Sequence, residues 1–199
     1  MDRIRILVAE DHELFRKGIC SLIEKVPDME IAGEALDGQD AVFKARALEP
    51  DIVIMDVMMP GMNGIEATRL IHETALKTKI VTLSLHSDRE YIVGMLKAGS
   101  SGYLLKDSAF QEMIEAIRSV RANRLFLGQT LIKTIAGDLM ELLGRVRMTQ
   151  ILTSSERDVV NRLIAGKKKS EIAFDLSVLP EAVGRDCDNI INKWLMLFR

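Results

Sequence analysis

Cysteine is scarce in this chain: two in 199 residues, Cys20 and Cys187, far apart and with no partner at ligand spacing. That excludes a disulfide framework and a cysteine-rich metal site, and reads as two reduced thiols in a cytoplasmic protein. Histidine is equally thin, with His12, His72 and His86 scattered and forming no metal cluster. An excess of one charge sign is also lacking, since the formal net charge is -2. Nothing therefore pulls the whole molecule toward nucleic acid or a membrane surface. No apolar run approaches the roughly 20 residues that a membrane helix needs. The chain runs straight into a strand pattern, without the apolar region of a signal peptide. No internal repeat and no low-complexity linker stand out, so a cytoplasmic protein without a membrane partner is expected.

Polar residues at the ends of apolar, strand-like runs are what the chain does contain. Glu10 and Asp11 follow Ile4–Val8, and Asp56 follows Ile52–Met55. Ser84 closes the run that begins at Ile80, and Lys106 follows Tyr103-Leu104-Leu105. In an open parallel sheet, sites form at the carboxyl ends of the strands. Three carboxylates, a hydroxyl and an amine would then converge on one edge. Crowded acids need a cation, and oxygen-only ligands suit Mg²⁺, which takes one or two carboxylates together with a phosphate. The chemistry this implies is transfer of a phosphoryl group onto Asp56.

The length suffices for one large domain or two small ones. Over residues 1–122, strand and helix patterns alternate five times. The strands are expected at Ile4–Val8, Met29–Ala35, Ile52–Met55, Lys79–Leu83 and Gly102–Leu105. Amphipathic stretches are expected at Glu13–Val26, Gly38–Leu48, Gly64–His72, Asp88–Ala98 and Ser108–Ala122. Such alternation implies an α/β, doubly wound parallel sheet covered on both faces. Arg5 in the first strand and Glu30 and Glu34 in the second suggest edge or half-exposed positions. Residues 123–148 read as a helical linker, with Leu131, Ile135, Leu139, Leu142 and Leu143 forming a stripe over Thr130–Leu143. Residues 149–199 show no strand pattern and three short helices. The first starts at Thr153 or Ser154, with Glu156 completing a capping box. The second starts near Ser170, and the third at Pro180, a favoured first-turn proline.

The first 122 residues resemble a response-regulator receiver domain. The motifs are Glu10-Asp11, the loop from Asp56 through Pro60 to Gly64, Ser84, and Gly102-Tyr103-Leu104-Leu105-Lys106, in the family's order and spacing. The resemblance implies that Asp56 is the phospho-acceptor, served by a histidine kinase or a small phosphodonor. It implies that Glu10, Asp11, Asp56 and the backbone carbonyl of Met58 hold Mg²⁺. Lys106 would pair with Asp56 and then with a phosphoryl oxygen. Ser84 would donate to the new group, and Tyr103 would turn inward behind it as the switch. Such a protein is a switch rather than an enzyme. A phosphatase of the haloacid-dehalogenase kind also uses a strand-end aspartate, but normally wants a second one two residues on, where this chain has Met58. Met58 and His86 stand at the +2 positions from Asp56 and Ser84, where the family tunes hydrolysis. Methionine cannot orient a water by hydrogen bonding, so a long-lived phospho-Asp56 is expected.

Residues 149–199 resemble a helix-turn-helix of the NarL/LuxR type, small and all-α. Leu152 through Val160 match its opening, and Gly166 with Ser170 through Ala173 match its turn and second helix. Val183, Asn189-Ile190 and Lys193 match the third, recognition helix. The resemblance implies DNA binding, transcriptional control and homodimer formation on phosphorylation. Lys167, Lys168, Lys169 and Arg185 are the candidate DNA contacts. Departures are concentrated in the third helix, where Ala182, Gly184 and Asp186 replace the usual threonine, basic residue and histidine. Val183, Cys187, Ile190 and Trp194 form its buried stripe. Its other face offers Glu181, Gly184, Arg185 and Asp188, whereas base-reading helices need cations and donors. From Met148 to Arg199 there are 8 Lys/Arg against 7 Asp/Glu, few for a DNA-binding module. The family's pattern implies a fourth helix after the third, none is expected within these residues, and Leu195-Met196-Leu197-Phe198 are then expected to pack elsewhere. The alternative is therefore a phosphorylation-switched protein-interaction module whose helix-turn-helix no longer binds DNA.

Overall fold

The computed structural model describes residues 3–75, 77–108, 110–146 and 151–198, with backbone alone over 143–146. It divides into two compact units, residues 1–128 and 129–199.

The first unit is a six-stranded parallel sheet with helices between its strands. The strands are β1 (Ile4–Ala9), β2 (Met29–Ala35), β3 (Ile52–Met55), β4 (Lys79–Ser84), β5 (Gly102–Leu105) and β6 (Phe126–Leu127). The helices are α1 (Glu13–Ile23), α2 (Gly38–Leu48), α3 (Gly64–Thr74), α4 (Arg89–Ala98) and α5 (Phe110–Arg121). The strand order is β2-β1-β3-β4-β5-β6. The chain leaves β1 toward β2 and returns on its other side as β3, so a crevice opens at the carboxyl ends of β1 and β3. β3 is apolar and buried along its whole length, as a central strand covered on both faces must be. Ile6, Val8, Ile52, Ile54, Val81 and Leu104 pack on one face against Ile19 and Ile23 of α1 and Ile114 and Ile117 of α5.

β1 lies between β2 and β3, and its Arg5, expected at an edge or a half-exposed position, is half-exposed near the strand's start, where the side chain reaches solvent and Glu30. Only β2, with Glu30 and Glu34, forms that edge. The opposite edge is β6, a two-residue strand that sequence patterning misses because it is too short to show a period. It pairs through Gly102 with Phe126 and Tyr103 with Leu127.

Among the described residues the second unit is all helical: α6 (Gln129–Val146), α7 (Ser154–Ile164), α8 (Lys169–Leu176) and α9 (Pro180–Met196). The segment expected as a linker over 123–148 does not stand apart. β6 joins the sheet and α6 groups with the second unit, where it packs against α7 and α9. Leu131, Ile135 and Leu139 are buried as the stripe requires. The side chain of Leu143, residues 147–150 and Arg199 lie outside the described residues. The expected capping box is present: Thr153 Oγ1 accepts from the Glu156 N–H, and Glu156 accepts from the Thr153 N–H. α9 is not short, running 17 residues from Pro180. Its buried stripe is Val183, Cys187, Ile190, Ile191 and Trp194. Phe198 packs edge-on against Trp194, with centroids 5.0 Å apart.

Candidate phospho-acceptor site

Backbone register builds this site before any side chain does. Ala9 pairs with Met55, Met55 with Thr82, and Ser84 with Leu105. β1 and β3 thus end level with each other, β4 and β5 end level with each other two residues further on, and the residues that follow them meet at one rim. The Asp56 N–H donates to the Ala9 carbonyl at 2.9 Å, and the Lys106 N–H to the Ser84 carbonyl at 2.8 Å. These bonds continue the ladder one residue beyond the strands. Behind Asp56, α3 begins at Gly64, where any β-carbon would lie 1.9 Å from the Asp56 carbonyl oxygen. Only glycine permits that approach. Asn63 caps the same helix by accepting from the Glu66 N–H at 2.9 Å.

The side chains of Glu10, Asp11 and Asp56 offer oxygens that all lie within 4.8 Å of one another, with Glu10 and Asp56 buried and Asp11 exposed. Lys106 Nζ sits between two of them, 2.8 Å from Asp56 Oδ2 and 2.6 Å from Glu10 Oε2. The same ammonium lies 4.8 Å from the centre of the Phe15 ring. Asp56 Oδ1 accepts from the Val57 N–H at 2.7 Å, and the Met58 N–H lies 3.5 Å from it. Burial raises the Glu10 pKa above the ordinary carboxylate range, opposed by the Lys106 hydrogen bond and supported by the charge of Asp56. Burial works against the Lys106 ammonium, but its bonds to Asp56 and Glu10 outweigh that and raise its pKa. Three carboxylates beside one ammonium leave the cluster short of positive charge. An all-oxygen donor set of this kind fits a hard divalent cation such as Mg²⁺.

Ser84 is buried at the rim, and its Oγ accepts from the His86 N–H at 3.1 Å. Tyr103 is fully buried, and its hydroxyl donates to the His86 carbonyl at 2.8 Å. Burial pushes its pKa up to about 12, against the pull of a Ser84 hydrogen bond. Tyr103 therefore already occupies the inward position that the sequence assigned to a switched state. The Met58 side chain is half exposed beside the site.

Arg16 is the residue that sequence reasoning missed. Its buried guanidinium donates from Nη1 to the carbonyls of Glu10 at 2.8 Å and Asp11 at 3.5 Å. Nε donates to Glu34 Oε2 at 2.9 Å. The available signal was its place on the apolar stripe of α1 with Ile19, Cys20 and Ile23, where a charge requires partners.

The basic candidates of the second unit are placed unequally. Lys167 and Lys168 are exposed before α8, and Lys169 opens that helix half-buried. Lys167 forms an ion pair with Asp175, which Arg162 also approaches at 3.8 Å. Arg185 is exposed on α9. On α9, Asp186 accepts from Ser155 Oγ at 2.6 Å. Lys193 is bound to Glu156 through both carboxylate oxygens, at 2.7 and 2.6 Å.

A doubly wound parallel sheet with an acid pair, a strand-end aspartate and a bridging lysine at its switch point defines a receiver domain. A family model for the response regulator receiver domain matches residues 6–118. Response regulator UvrY of Escherichia coli strain K12 is 33% identical over 180 residues, spanning 90% of this chain and 83% of that protein. The nitrate/nitrite response regulator protein NarL of the same strain is 32% identical over 189 residues, spanning 94% and 88%. A crystal structure of a LuxR-family two-component response regulator from Aurantimonas sp. SI85-9A1 matches with a TM-score of 0.66 and 34% identity. It covers 69% of this chain and 98% of that one. The chain belongs to the response-regulator family, and within it to the NarL/LuxR type.

Proposed function

We propose that Asp56 accepts a phosphoryl group from a histidine kinase or a small phosphodonor, and that this controls DNA binding and transcription through the second unit. The observation that carries the phosphoryl reading is Lys106 Nζ, 2.8 Å from Asp56 and 2.6 Å from Glu10, beside an all-carboxylate cluster. Glu10, Asp11, Asp56 and the Met58 carbonyl would hold Mg²⁺, which when bound would supply charge neutralisation at the attacked phosphorus. A carboxylate oxygen of Asp56 forms the new bond to phosphorus as the donor's bond to nitrogen or oxygen breaks. Lys106 exchanges one of its carboxylate bonds for a phosphoryl oxygen. Ser84 donates its hydroxyl to the same group, and Tyr103 stays packed behind it. The chain acts as a switch consumed once per phosphoryl group, not as a multiple-turnover phosphatase.

Incubating the chain with Mg²⁺ and a small phosphodonor should add the mass of one phosphoryl group, and the Asp56→Asn variant should add none. Retained uptake in that variant would remove Asp56 from the role.

In the second unit, Lys167, Lys168, Lys169 and Arg185 would meet backbone phosphates, with the phosphorylated chain acting as a homodimer. A second reading, a protein-interaction module, is favoured by particular observations. Lys167 is held by Asp175, and Phe174 and Leu179 are exposed where α8 turns into α9. The readings separate on salt, because phosphate contacts weaken steeply with ionic strength while an apolar interface does not.

A further inference from the structure

Arg16 has no part in the phosphoryl chemistry above, yet it is a charge buried beside it. Its side chain is 8% exposed. A buried guanidinium is kept only with partners, and its partners here are unusual. Two of them are main-chain carbonyls, those of Glu10 and Asp11. The third is the carboxylate of Glu34 on the edge strand β2, where Glu34 pairs with Val8 of β1. One guanidinium therefore ties the β1–α1 turn to the neighbouring strand. That turn presents two of the three carboxylates of the cluster. Asp11 is exposed, so its direction is set by its backbone rather than by packing. The rigid planar fork of arginine spreads these acceptors over Nε and Nη1 in one fixed arrangement, whereas a lysine offers a single freely rotating ammonium.

We infer that Arg16 is a positioning residue: together with Glu34 it fixes the turn carrying Glu10 and Asp11 and so sets the affinity of the carboxylate cluster for Mg²⁺. The inference rests on reading that cluster as the Mg²⁺ site. It acts through geometry, as outer-shell partners of metal ligands do. Arg16 touches neither the phosphoryl group nor the nucleophile.

The test is calorimetric titration of the full chain with Mg²⁺, for the native protein and the variants Arg16→Met, Arg16→Lys and Glu34→Gln. Phosphodonor uptake is followed in parallel across Mg²⁺ concentrations. Arg16→Met should bind Mg²⁺ about tenfold more weakly, in the range seen for outer-shell partners. Arg16→Lys should fall between it and the native chain. Glu34→Gln keeps an acceptor but loses the charge, and should show a smaller loss. At saturating Mg²⁺ the uptake rate of all three should return to the native value, which a merely loosened fold would not do. Unchanged affinity in Arg16→Met and Glu34→Gln, or a rate that Mg²⁺ fails to restore, overturns the inference. Should Arg16→Met fail to fold, Glu34→Gln decides alone: weakened binding supports it and unchanged binding overturns it. A native chain that binds no Mg²⁺ overturns both the reading of the site and the inference. Native binding with indifferent variants overturns only the inference.

Discussion

Lys106 holds two buried carboxylates with a single ammonium, and this makes it the most exposed point of the chemistry to substitution. Removing it leaves Glu10 and Asp56 facing each other without their shared cation. Lys106→Met should slow phosphoryl uptake roughly tenfold or more, the loss of one charge-assisted hydrogen bond to the reacting group. Time courses with a small phosphodonor would check this. Met58 presents a half-exposed thioether beside Asp56. Met58→Asn should shorten the lifetime of phospho-Asp56, because an amide can orient a hydrolytic water and a thioether cannot. An unchanged decay rate would refute that role. Glu10, Asp11, Asp56, Ser84 and Lys106 were legible in the sequence because each ends an apolar run, and topology then brings run ends together. Arg16 was legible only as a charge on an apolar stripe; its main-chain carbonyl partners were not, because no residue spacing reveals them.

At the scale of elements, α9 shows what a sequence stripe does and does not convey. Its buried face was readable at helical spacing, and Val183, Cys187, Ile190 and Trp194 lie on it. Its length and its tie to α7 were not, since the Glu156–Lys193 pair spans 37 residues of chain. Burial by itself would raise the Glu156 pKa, but the Lys193 bonds and the Thr153 N–H prevail and hold it below the usual carboxylate value. A depressed carboxylate pKa gives stability that is present above its unfolded value and lost as pH falls through the folded one. The second unit should therefore lose stability in acid across that window, and Glu156→Gln should flatten the slope. Denaturant melts against pH, read by the fluorescence of Trp194, would check this. Gly184 offers the opposite change. A β-carbon there meets nothing within 4 Å, so Gly184→Ala should raise stability by about 1 kcal/mol through helix propensity alone. Failure of the melt to shift upward would show that the position carries a constraint beyond the helix. β6 escaped notice for a related reason: two residues have no period, and only pairing with β5 makes them a strand.

For the whole molecule, the fold was legible because strand and helix patterns alternated through the first unit and then stopped. The boundary between units was not, since the stripe on α6 shows an apolar face without naming what covers it. The chain folds as two compact units at 128/129, so residues 1–128 made alone should remain folded and still take up a phosphoryl group. Circular dichroism and mass measurement would show it. The larger question is what the second unit does with that event. Its charge is nearly balanced, one lysine of its basic run is held by Asp175, and the Lys193 cation is spent on Glu156. Salt-sensitive affinity must then come from few phosphate contacts. The decisive measurement is capture of genomic DNA fragments by the full chain, with and without beryllofluoride and Mg²⁺ as a mimic of phospho-Asp56, at low and high salt. Phosphorylation-gated transcriptional control predicts mimic-dependent, salt-sensitive enrichment of particular fragments, lost in Asp56→Asn. No enrichment in any state, from a folded chain that binds the mimic, would contradict it.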